Sequence, residues 1–376
     1  MVNFGFAYAW GMAQSNLHGL AAAGVSVWSD QISREMLDSG ELERRIVEDA
    51  VSGVTSNPSI FEAAIVDATD YDAELNSLRE AGTGAEDIVK TLIAADLNRA
   101  CDLLLDVYRA TDGTDGFVSV EVSPTLANDT DASIAEARDW AKQISKPNLL
   151  IKVPATPEGI PAIEKLIGEG ISINITLIFS LERYREVMNA YISGLETFAA
   201  AGGDISKVAS VASFFVSRVD SEVDRRLEEL GSDEALELRG VTAVANARAA
   251  FGDYLDVFTA DRFKELESIG ARRQKPLWAS TSTKNPDYND LLYVESLVAP
   301  GTVNTMPLGT IDAYQDHGSP DPQPFTPQDI EVARVDLARL QTIGVDYADV
   351  VQTLEEEGVE KFSASWQGLL DKVQGS

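Results

Sequence analysis

The stretch LLIKVPA, residues 149–155, places a single lysine inside a run of apolar residues. A short apolar run between Pro147 and Pro154 is typical of a strand buried in a parallel sheet. Because side chains alternate along a strand, Leu150 and Lys152 share one face. A lysine there either extends its amine to water at the strand end or is held in a dry site. In a dry site, desolvation favours the neutral amine, which is a nucleophile toward carbonyl groups.

The composition limits the possible partners. The chain has 376 residues and 44% hydrophobic content, as in globular proteins that bury a large core. Its 30 basic and 61 acidic side chains give a formal net charge of −31, which argues against nucleic acid or an anionic membrane as a partner. The sequence predicts neither a membrane span nor a secretory signal. An anionic substrate would therefore need a few cations gathered inside a pocket.

Cysteine and histidine are scarce. Cys101 is the only cysteine, which excludes a disulfide framework and favours a reducing compartment, so we expect a cytoplasmic protein. His18 and His317 are the only histidines, too few for a histidine cluster that binds zinc or iron. We therefore expect no metal and no organic cofactor.

Strand-like and amphipathic segments alternate from about residue 25 to residue 314. The predicted strands are 25–29, 53–55, 117–122, 149–153, 172–177, 208–214, 276–281 and 301–306. The predicted helical segments are 36–50, 86–109, 132–144, 181–200, 218–230 with 242–269, and 290–298. This order predicts an α/β protein that forms a single (β/α)8 TIM barrel with extra C-terminal helices. The glycine-rich motifs of dinucleotide-binding and P-loop proteins are absent.

Three parts are predicted along the chain. They are an N-terminal extension over residues 1–23, a catalytic barrel over 24–317, and a tail over 318–376. The tail begins with the proline-rich sequence SPDPQPFTP, which is typical of an extended connector. It continues with two predicted helices, 329–342 and 347–373, which we expect to pack on the barrel.

Two predicted strands carry polar side chains on one face. Glu121 lies opposite three valines, and Asn174 and Thr176 lie opposite isoleucines. Barrel strands should be almost wholly apolar, and a buried polar group without a partner is costly. Taken singly, Glu121 fits a buried ion pair, and Asn174 and Thr176 fit loop caps. Taken together with Lys152, they favour a site at the carboxyl ends of the strands.

Two further candidates remain open on physical grounds alone. Asp30 follows the first strand and could equally be the N-cap of the next helix. Asn57 lies in the sequence SNPS, where a turn is expected in any case. With Lys152, these residues comprise the parts of an enzyme that forms a Schiff base: an amine, carboxylates for proton transfer, and groups that hold hydroxyls.

Several separate motifs resemble those of the transaldolase family. The matching segments, in the family's order, are GVTSNPSIF (53–61), Glu121, LIKVPATPEGI (150–160), NITL (174–177), SFFVSR (213–218) and WAST (278–281). The resemblance covers roughly residues 24–314 and is greatest to the longer bacterial branch. It implies transfer of a dihydroxyacetone unit from sedoheptulose 7-phosphate or fructose 6-phosphate to an aldose phosphate. This reaction belongs to the non-oxidative pentose phosphate pathway and proceeds through a lysine Schiff base.

The resemblance also implies the catalytic roles. Lys152 matches the lysine that forms the Schiff base on the fourth strand. Asp30 matches the aspartate that takes the proton of the donor's C4 hydroxyl. Glu121 and Thr176 match the pair that transfers protons through a water.

The substrate-binding roles follow in the same way. Six positions match residues that hold the substrate: Asn57, Asn174, Ser213, Phe215, Arg218 and Lys284. Asn57 and Asn174 match amides that hold the dihydroxyacetone hydroxyls, whereas Ser213 and Arg218 match phosphate-binding positions. Lys284 occupies a position where much of the family has an arginine, so it supplies a positive charge for the phosphate without bidentate hydrogen bonding.

Two alternatives remain, a closely related enzyme and a protein of another functional class. Fructose 6-phosphate aldolases release dihydroxyacetone instead of transferring it, but they are shorter and typically have glutamine at Glu121 and tyrosine at Phe215. A non-catalytic barrel would bind sugar phosphates without forming a covalent adduct. We expect sugar phosphates as substrates and either a monomer or a homodimer.

Overall fold

The computed structural model describes residues 15–66 and 68–375, and its strands form a closed, all-parallel barrel. The strands are β1 Val25–Ser29, β2 Val51–Val54, β3 Val118–Glu121, β4 Leu149–Pro154, β5 Ile173–Ile178, β6 Ser210–Phe215, β7 Lys275–Ala279 and β8 Thr302–Met306. Each strand pairs with the next along the chain. Val25 of β1 also pairs with Thr302 of β8, which closes the barrel. The predicted (β/α)8 class is confirmed.

Helices fill the connections between the strands and follow the last one. They are α1 Asn16–Ala22, α2 Arg34–Asp38, α3 Glu41–Glu48, α4 Pro58–Val66, α5 Asp72–Glu80, α6 Ala85–Ala110, α7 Thr130–Ile144, α8 Gly159–Ile167, α9 Leu181–Ala200, α10 Ser217–Leu230, α11 Asp233–Leu236, α12 Thr242–Phe258, α13 Asp261–Ser268, α14 Leu292–Ser296, α15 Leu308–His317, α16 Pro327–Ile343 and α17 Tyr347–Gln374. Among these helices, none is long and apolar enough to cross a membrane.

At three places a residue with a left-handed backbone conformation makes a helix or strand boundary differ from the predicted one. Gly40, with φ of 76°, divides the helix predicted over 36–50 into α2 and α3. Ala50, with φ of 54°, turns the chain into β2, which therefore begins and ends earlier than predicted. Ser280, with φ of 57°, ends β7 at Ala279 instead of residue 281. These conformations interrupt the regular repeat on which the predicted periods depended.

Helix α8 was not predicted. Its first residues include a glycine and a proline, which favour a loop when read from the sequence. Its buried side chains nevertheless recur at helical spacing, with Ala162, Ile163 and Leu166 among them. Gly159 is required at the start because a Cβ atom there would lie 1.9 Å from the carbonyl oxygen of Pro154.

The register of three adjacent strands positions the polar residues. Glu121 of β3 pairs with Lys152 of β4, and Lys152 pairs with Asn174 of β5. One residue pair further on, Pro154 lies beside Thr176. Residues in register on parallel strands point to the same face of the sheet. The barrel therefore carries an acid, an amine and an amide side by side at one level of its interior.

The chain on either side of the barrel packs against it. Leu17 and Leu20 of α1 are buried in a cluster with Val25 of β1 and Ile311 of α15. Helix α16 packs on α12, and α17 packs on α4, α6 and α10. Residues 1–14 of the predicted N-terminal extension lie outside the described residues. The division into extension, barrel and tail stays a prediction.

A glycine in β2 makes room for a buried tryptophan. Gly53 pairs with Trp28 across β1 and β2, and a Cβ atom at Gly53 would lie 2.4 Å from the indole ring. Trp28 is 1% exposed, and its Nε1 donates to Asp115 Oδ1 over 2.8 Å. Ser52 Oγ donates to the other carboxylate oxygen of Asp115 over 2.9 Å. The indole thus has little freedom to shift away from Gly53.

We expect Gly53→Ala to lower the free energy of unfolding by about 1–3 kcal/mol, since the added methyl would overpack the ring of Trp28. Gly309→Ala is the matched control, because a Cβ atom at Gly309 would meet nothing within 4 Å. Urea unfolding followed by tryptophan fluorescence measures both. Equal effects of the two substitutions would contradict the close approach at Gly53.

Candidate active site

A cavity opens at the carboxyl ends of the strands. Its lining includes six of the predicted site residues: Asp30, Asn57, Lys152, Ser213, Phe215 and Arg218. It also includes Phe362, which was not predicted. Thr55, Ala279, Ser280 and Thr305 complete the lining. Residues from six of the eight strands or the loops after them therefore converge on one place with residues of α10 and α17. This is where barrel proteins place their chemistry.

Lys152 lies inside the barrel and not at its outer surface. Its side chain is only 5% exposed, and Nζ donates to Glu121 Oε2 over 3.0 Å and to the carbonyl oxygen of Ser56 over 3.2 Å. The ring centroid of Phe362 lies 5.6 Å from the same nitrogen. The alternative in which the amine reaches bulk water at the strand end is wrong. The lysine is held in a nearly dry site.

Glu121 is the buried partner of this amine. Burial raises the pKa of the Glu121 carboxyl, while the charges of Lys152 and Arg218 act to lower it. A carboxylate with a raised pKa is a better proton acceptor. Glu121 therefore forms the buried ion pair that was one of its two interpretations. The same contact would let a proton pass directly from Lys152 to the carboxylate.

Asp30 also faces the cavity. Burial raises the pKa of its carboxyl to about 6, against the opposing charges of Lys284 and Lys152. The N-cap alternative for Asp30 is wrong, because α2 is capped by Ser33, whose side chain accepts from the backbone N–H of Met36. A carboxyl with such a pKa beside a nucleophilic amine is suited to accepting and returning a proton near neutral pH.

The two predicted amides differ in their contacts. Asn57 lines the cavity, and its Oδ1 also accepts from the N–H of Ile60, so the turn interpretation and the site interpretation both hold. Asn174 is completely buried and is not part of the lining. Its Nδ2 donates to Ser119 Oγ over 3.0 Å, and its Oδ1 accepts from Ser213 Oγ over 2.7 Å. Asn174 therefore links the strands on its two sides.

Thr176 carries a buried hydroxyl that has no hydrogen-bond partner among the described residues. Its side chain is 0% exposed, in the middle of β5, and not at a loop where it could act as a cap. Buried polar atoms without a partner are rare and usually satisfied by a water or a ligand. An unpaired hydroxyl in the strand next to Lys152 agrees with the water-mediated role that the resemblance implies.

Cations gather on one side of the cavity. The Arg218 guanidinium lies between two aromatic rings, 5.0 Å from the centroid of Phe215 and 5.8 Å from that of Phe362. Lys284 is exposed, donates to Ser282 Oγ over 2.7 Å and is not part of the cavity lining. The charge of Arg218 lowers the pKa of Lys361, with burial and Lys284 adding to the effect. Three cations that repel one another in an acidic protein indicate a place for an anion.

A second, wider hollow contains none of the predicted site residues. It is lined by Ser15, Arg44, Glu48, Asp49, Asp312, Gln315 and Asp316. Four carboxylates against one guanidinium would repel a phosphorylated substrate. Neither there nor elsewhere in residues 15–66 and 68–375 are three or more His, Cys, Asp or Glu side chains arranged so that they could hold a metal ion.

Sequence reasoning missed the contribution of α17. Phe362 and Lys361 reach the site from a helix that begins more than forty residues after the last strand. An available signal was Gly358 in the middle of that helix, since a mid-helix glycine is unfavourable unless something packs closely on it. A Cβ atom at Gly358 would lie 2.9 Å from Leu177 Cδ2 at the end of β5.

Comparison with known proteins finds similarity over most of the chain. The family model described as transaldolase/fructose-6-phosphate aldolase matches residues 27–373. The chain is 54% identical over 365 residues to a protein named transaldolase from Mycolicibacterium smegmatis, covering 97% of this chain and 98% of that one. It is 52% identical to a transaldolase from Thermobifida fusca, covering 96% and 97%, and 51% identical to one from Mycobacterium tuberculosis, covering 96% of each.

We expect Asp30→Asn to stabilise the protein at about pH 8 by up to about 3 kcal/mol, because the pKa of Asp30 rises from 3.8 to about 6 on folding. Between these two values the folded protein binds more protons than the unfolded chain, so stability falls as the pH rises. Above about pH 6 the loss is complete. Urea unfolding at about pH 8 and about pH 4.5 measures the difference.

The gain should shrink at the lower pH, where Asp30 is already protonated in the folded protein. Asp139→Asn is the control, since Asp139 is an exposed aspartate on α7. An equal gain from Asp30→Asn at both pH values would show that the carboxyl is not held in a site that disfavours its charge.

Proposed function

Because the chain belongs to the transaldolase/fructose-6-phosphate aldolase family, we propose that it is a transaldolase that transfers a dihydroxyacetone unit through a Schiff base on Lys152. The family resemblance found in the sequence is thereby confirmed, and the curated relatives at 51–54% identity are named transaldolases. The observation that carries the chemical proposal is the burial of Lys152 against Glu121 in the cavity that Asp30 also lines.

The first step requires a neutral amine. Glu121 accepts a proton from the Lys152 ammonium along their 3.0 Å hydrogen bond, which leaves Nζ free to attack C2 of a ketose phosphate. The carbinolamine that forms loses water to give an iminium. Glu121 and Thr176 transfer the protons of this step through a water, for which the unpaired Thr176 hydroxyl offers a binding group.

The iminium draws electrons from the C3–C4 bond. As that bond breaks, Asp30 accepts the proton of the C4 hydroxyl, an aldose phosphate leaves, and a three-carbon enamine remains on Lys152. The pKa of about 6 lets Asp30 be ionised at neutral pH and still return the proton when the acceptor aldehyde is attacked. Hydrolysis of the new iminium then frees the product ketose.

The phosphate group binds at the cationic side of the cavity. Arg218 can donate two parallel hydrogen bonds to phosphate oxygens, which a lysine cannot. Lys284 adds charge from the β7–α14 loop, and Ser213 lies at the cavity wall. Asn57 holds the dihydroxyacetone end from the cavity lining. The resemblance assigns Asn174 to the same end, and its Oδ1 also accepts a hydrogen bond from Ser213 Oγ.

We also infer the setting in which the protein works. Its substrates are sugar phosphates, in agreement with its family. A single buried cysteine suits the reducing cytoplasm, and the tail over 318–376 acts as a connector and helices packed on the barrel of residues 24–317. We propose a monomer or a homodimer, which light scattering of the purified protein distinguishes.

Borohydride trapping tests the Schiff base. Reduction in the presence of fructose 6-phosphate should attach a three-carbon unit to the peptide that contains Lys152, as detected by mass spectrometry. Lys152→Met should abolish the adduct and lower the rate of transfer by on the order of 10⁴-fold or more, since it removes the nucleophile. Lys165→Met, on exposed α8, is the control and should keep both. An adduct-free wild-type peptide would support a binding protein instead.

Substitution of Arg218 tests phosphate binding. We expect Arg218→Ala to lower kcat/KM for erythrose 4-phosphate by about 10–100-fold, the usual value of a charge-assisted hydrogen bond. The effect on unphosphorylated erythrose should be much smaller. Arg218→Lys should recover only part of the loss, because it restores the charge without the fork. Equal losses for both acceptors would place the phosphate elsewhere.

A further inference from the structure

The C-terminal helix supplies one wall of the active-site cavity. Phe362 is 2% exposed and lines the cavity beside Lys152. Its ring centroid lies 5.6 Å from Lys152 Nζ and 5.8 Å from Arg218 Cζ. No motif that carries the family resemblance contains this residue. An aromatic ring from outside the barrel therefore covers both the nucleophile and the main cation of the site.

The helix that carries the ring is fixed at three levels. Ser365 Oγ lies 2.7 Å from Ser59 Oγ on α4, one turn away from Phe362. Near the end of the helix, Arg79 donates to the carbonyl oxygen of Lys372 over 2.7 Å. On the other side, the missing side chain of Gly358 lets α17 approach Leu177 at the end of β5. The ring is held against the cavity by contacts on both sides of it.

The chemistry makes this position important. The enamine on Lys152 has two possible fates. Attack of its C3 carbon on an acceptor aldehyde forms the new carbon–carbon bond and gives transfer. Protonation of the same carbon gives an iminium, and addition of one water then breaks the C–N bond, releasing dihydroxyacetone and returning the lysine ammonium. Water and a mobile proton at the enamine therefore decide between transfer and release.

We propose that Phe362 is a specificity-determining residue that favours transfer over release. This inference rests on the proposed transaldolase function. The apolar ring keeps water from the side of Lys152 that faces α17, so the enamine persists until an acceptor aldehyde binds. The face of the ring also stabilises a positive charge at Nζ, which favours the iminium over uncharged forms of the same nitrogen.

The test measures two rates on the full-length protein. Release is the rate at which free dihydroxyacetone appears from fructose 6-phosphate alone, and transfer is the rate with erythrose 4-phosphate present. We expect Phe362→Ala to raise the ratio of release to transfer by about tenfold and Phe362→Leu by about threefold, as more water reaches the enamine. Phe362→Leu keeps an apolar side chain and carries the test if the alanine variant does not fold.

Trp366→Leu is the matched control. Trp366 is 5% exposed on the same helix, one turn further on, and packs in the hydrophobic core outside the cavity lining. It should leave the ratio within about twofold of the wild-type value, because loss of core packing lowers stability without admitting water to the enamine. An unchanged ratio in both Phe362 variants, or an equal rise in Trp366→Leu, would overturn the inference. Absence of transfer by the wild-type protein would instead overturn the proposed function.

Discussion

The buried ion pair between Lys152 and Glu121 is the interaction on which the site depends. Removing two charges from water costs more than their attraction returns unless further hydrogen bonds support them. Here the carbonyl oxygen of Ser56 provides a second acceptor for the ammonium at 3.2 Å. Because such a pair contributes little net stability, its presence in the centre of a barrel points to chemistry instead of folding. The pair thus places the amine of Lys152 within hydrogen-bond reach of a carboxylate that can act as a base in the proposed mechanism.

The surroundings of this pair are organised by hydrogen bonds that cross the barrel. Asn174 connects Ser119 of β3 with Ser213 of β6, so three strands share one polar chain. Thr176 lies two residues beyond Asn174 on the same face of β5, and its hydroxyl has no partner in the part of the chain that the structure describes. A buried hydroxyl without a protein partner is a binding site for an ordered water. The proton path of the proposed mechanism passes through this site.

Much of this arrangement could be predicted because β-strands alternate. A lysine, a glutamate and an asparagine at inward positions of three consecutive strands stood out against their apolar neighbours, and parallel pairing brought them together. The roles of Asp30 and Asn57 could not be decided in this way, since each lies in a loop where its residue type is common. The structure shows that Ser33 is the helix cap, whereas Asn57 is both a turn residue and part of the cavity.

Long-range packing accounts for what the sequence did not reveal. Phe362 and Lys361 join the site only because α17 crosses the mouth of the barrel, and no local pattern encodes where a terminal helix will lie. Gly358 was a local anomaly in α17, and a glycine within a helix indicates a close contact without identifying the partner. Helix α8 was not predicted for a different reason. Its apolar residues recur at helical spacing, but the helix begins with residues that favour a loop.

The acidic surface and the cationic cavity act together. A net charge of −31 repels a sugar phosphate at a distance, so attraction has to come from charges that face a space with little water. The charges of Arg218 and Lys284 both lower the pKa of Lys361. Burial lowers the pKa of Arg218, against the opposing charge of Glu357 on the same helix as Lys361. Arg218 is also flanked by the rings of Phe215 and Phe362, which screen it from solvent. Low local polarity strengthens the interaction of a guanidinium with an anion, so in the proposed mechanism the ring that shields the enamine also strengthens phosphate binding. Through Phe362, helix α17 contacts both the lysine proposed to form the Schiff base and the arginine proposed to bind the phosphate.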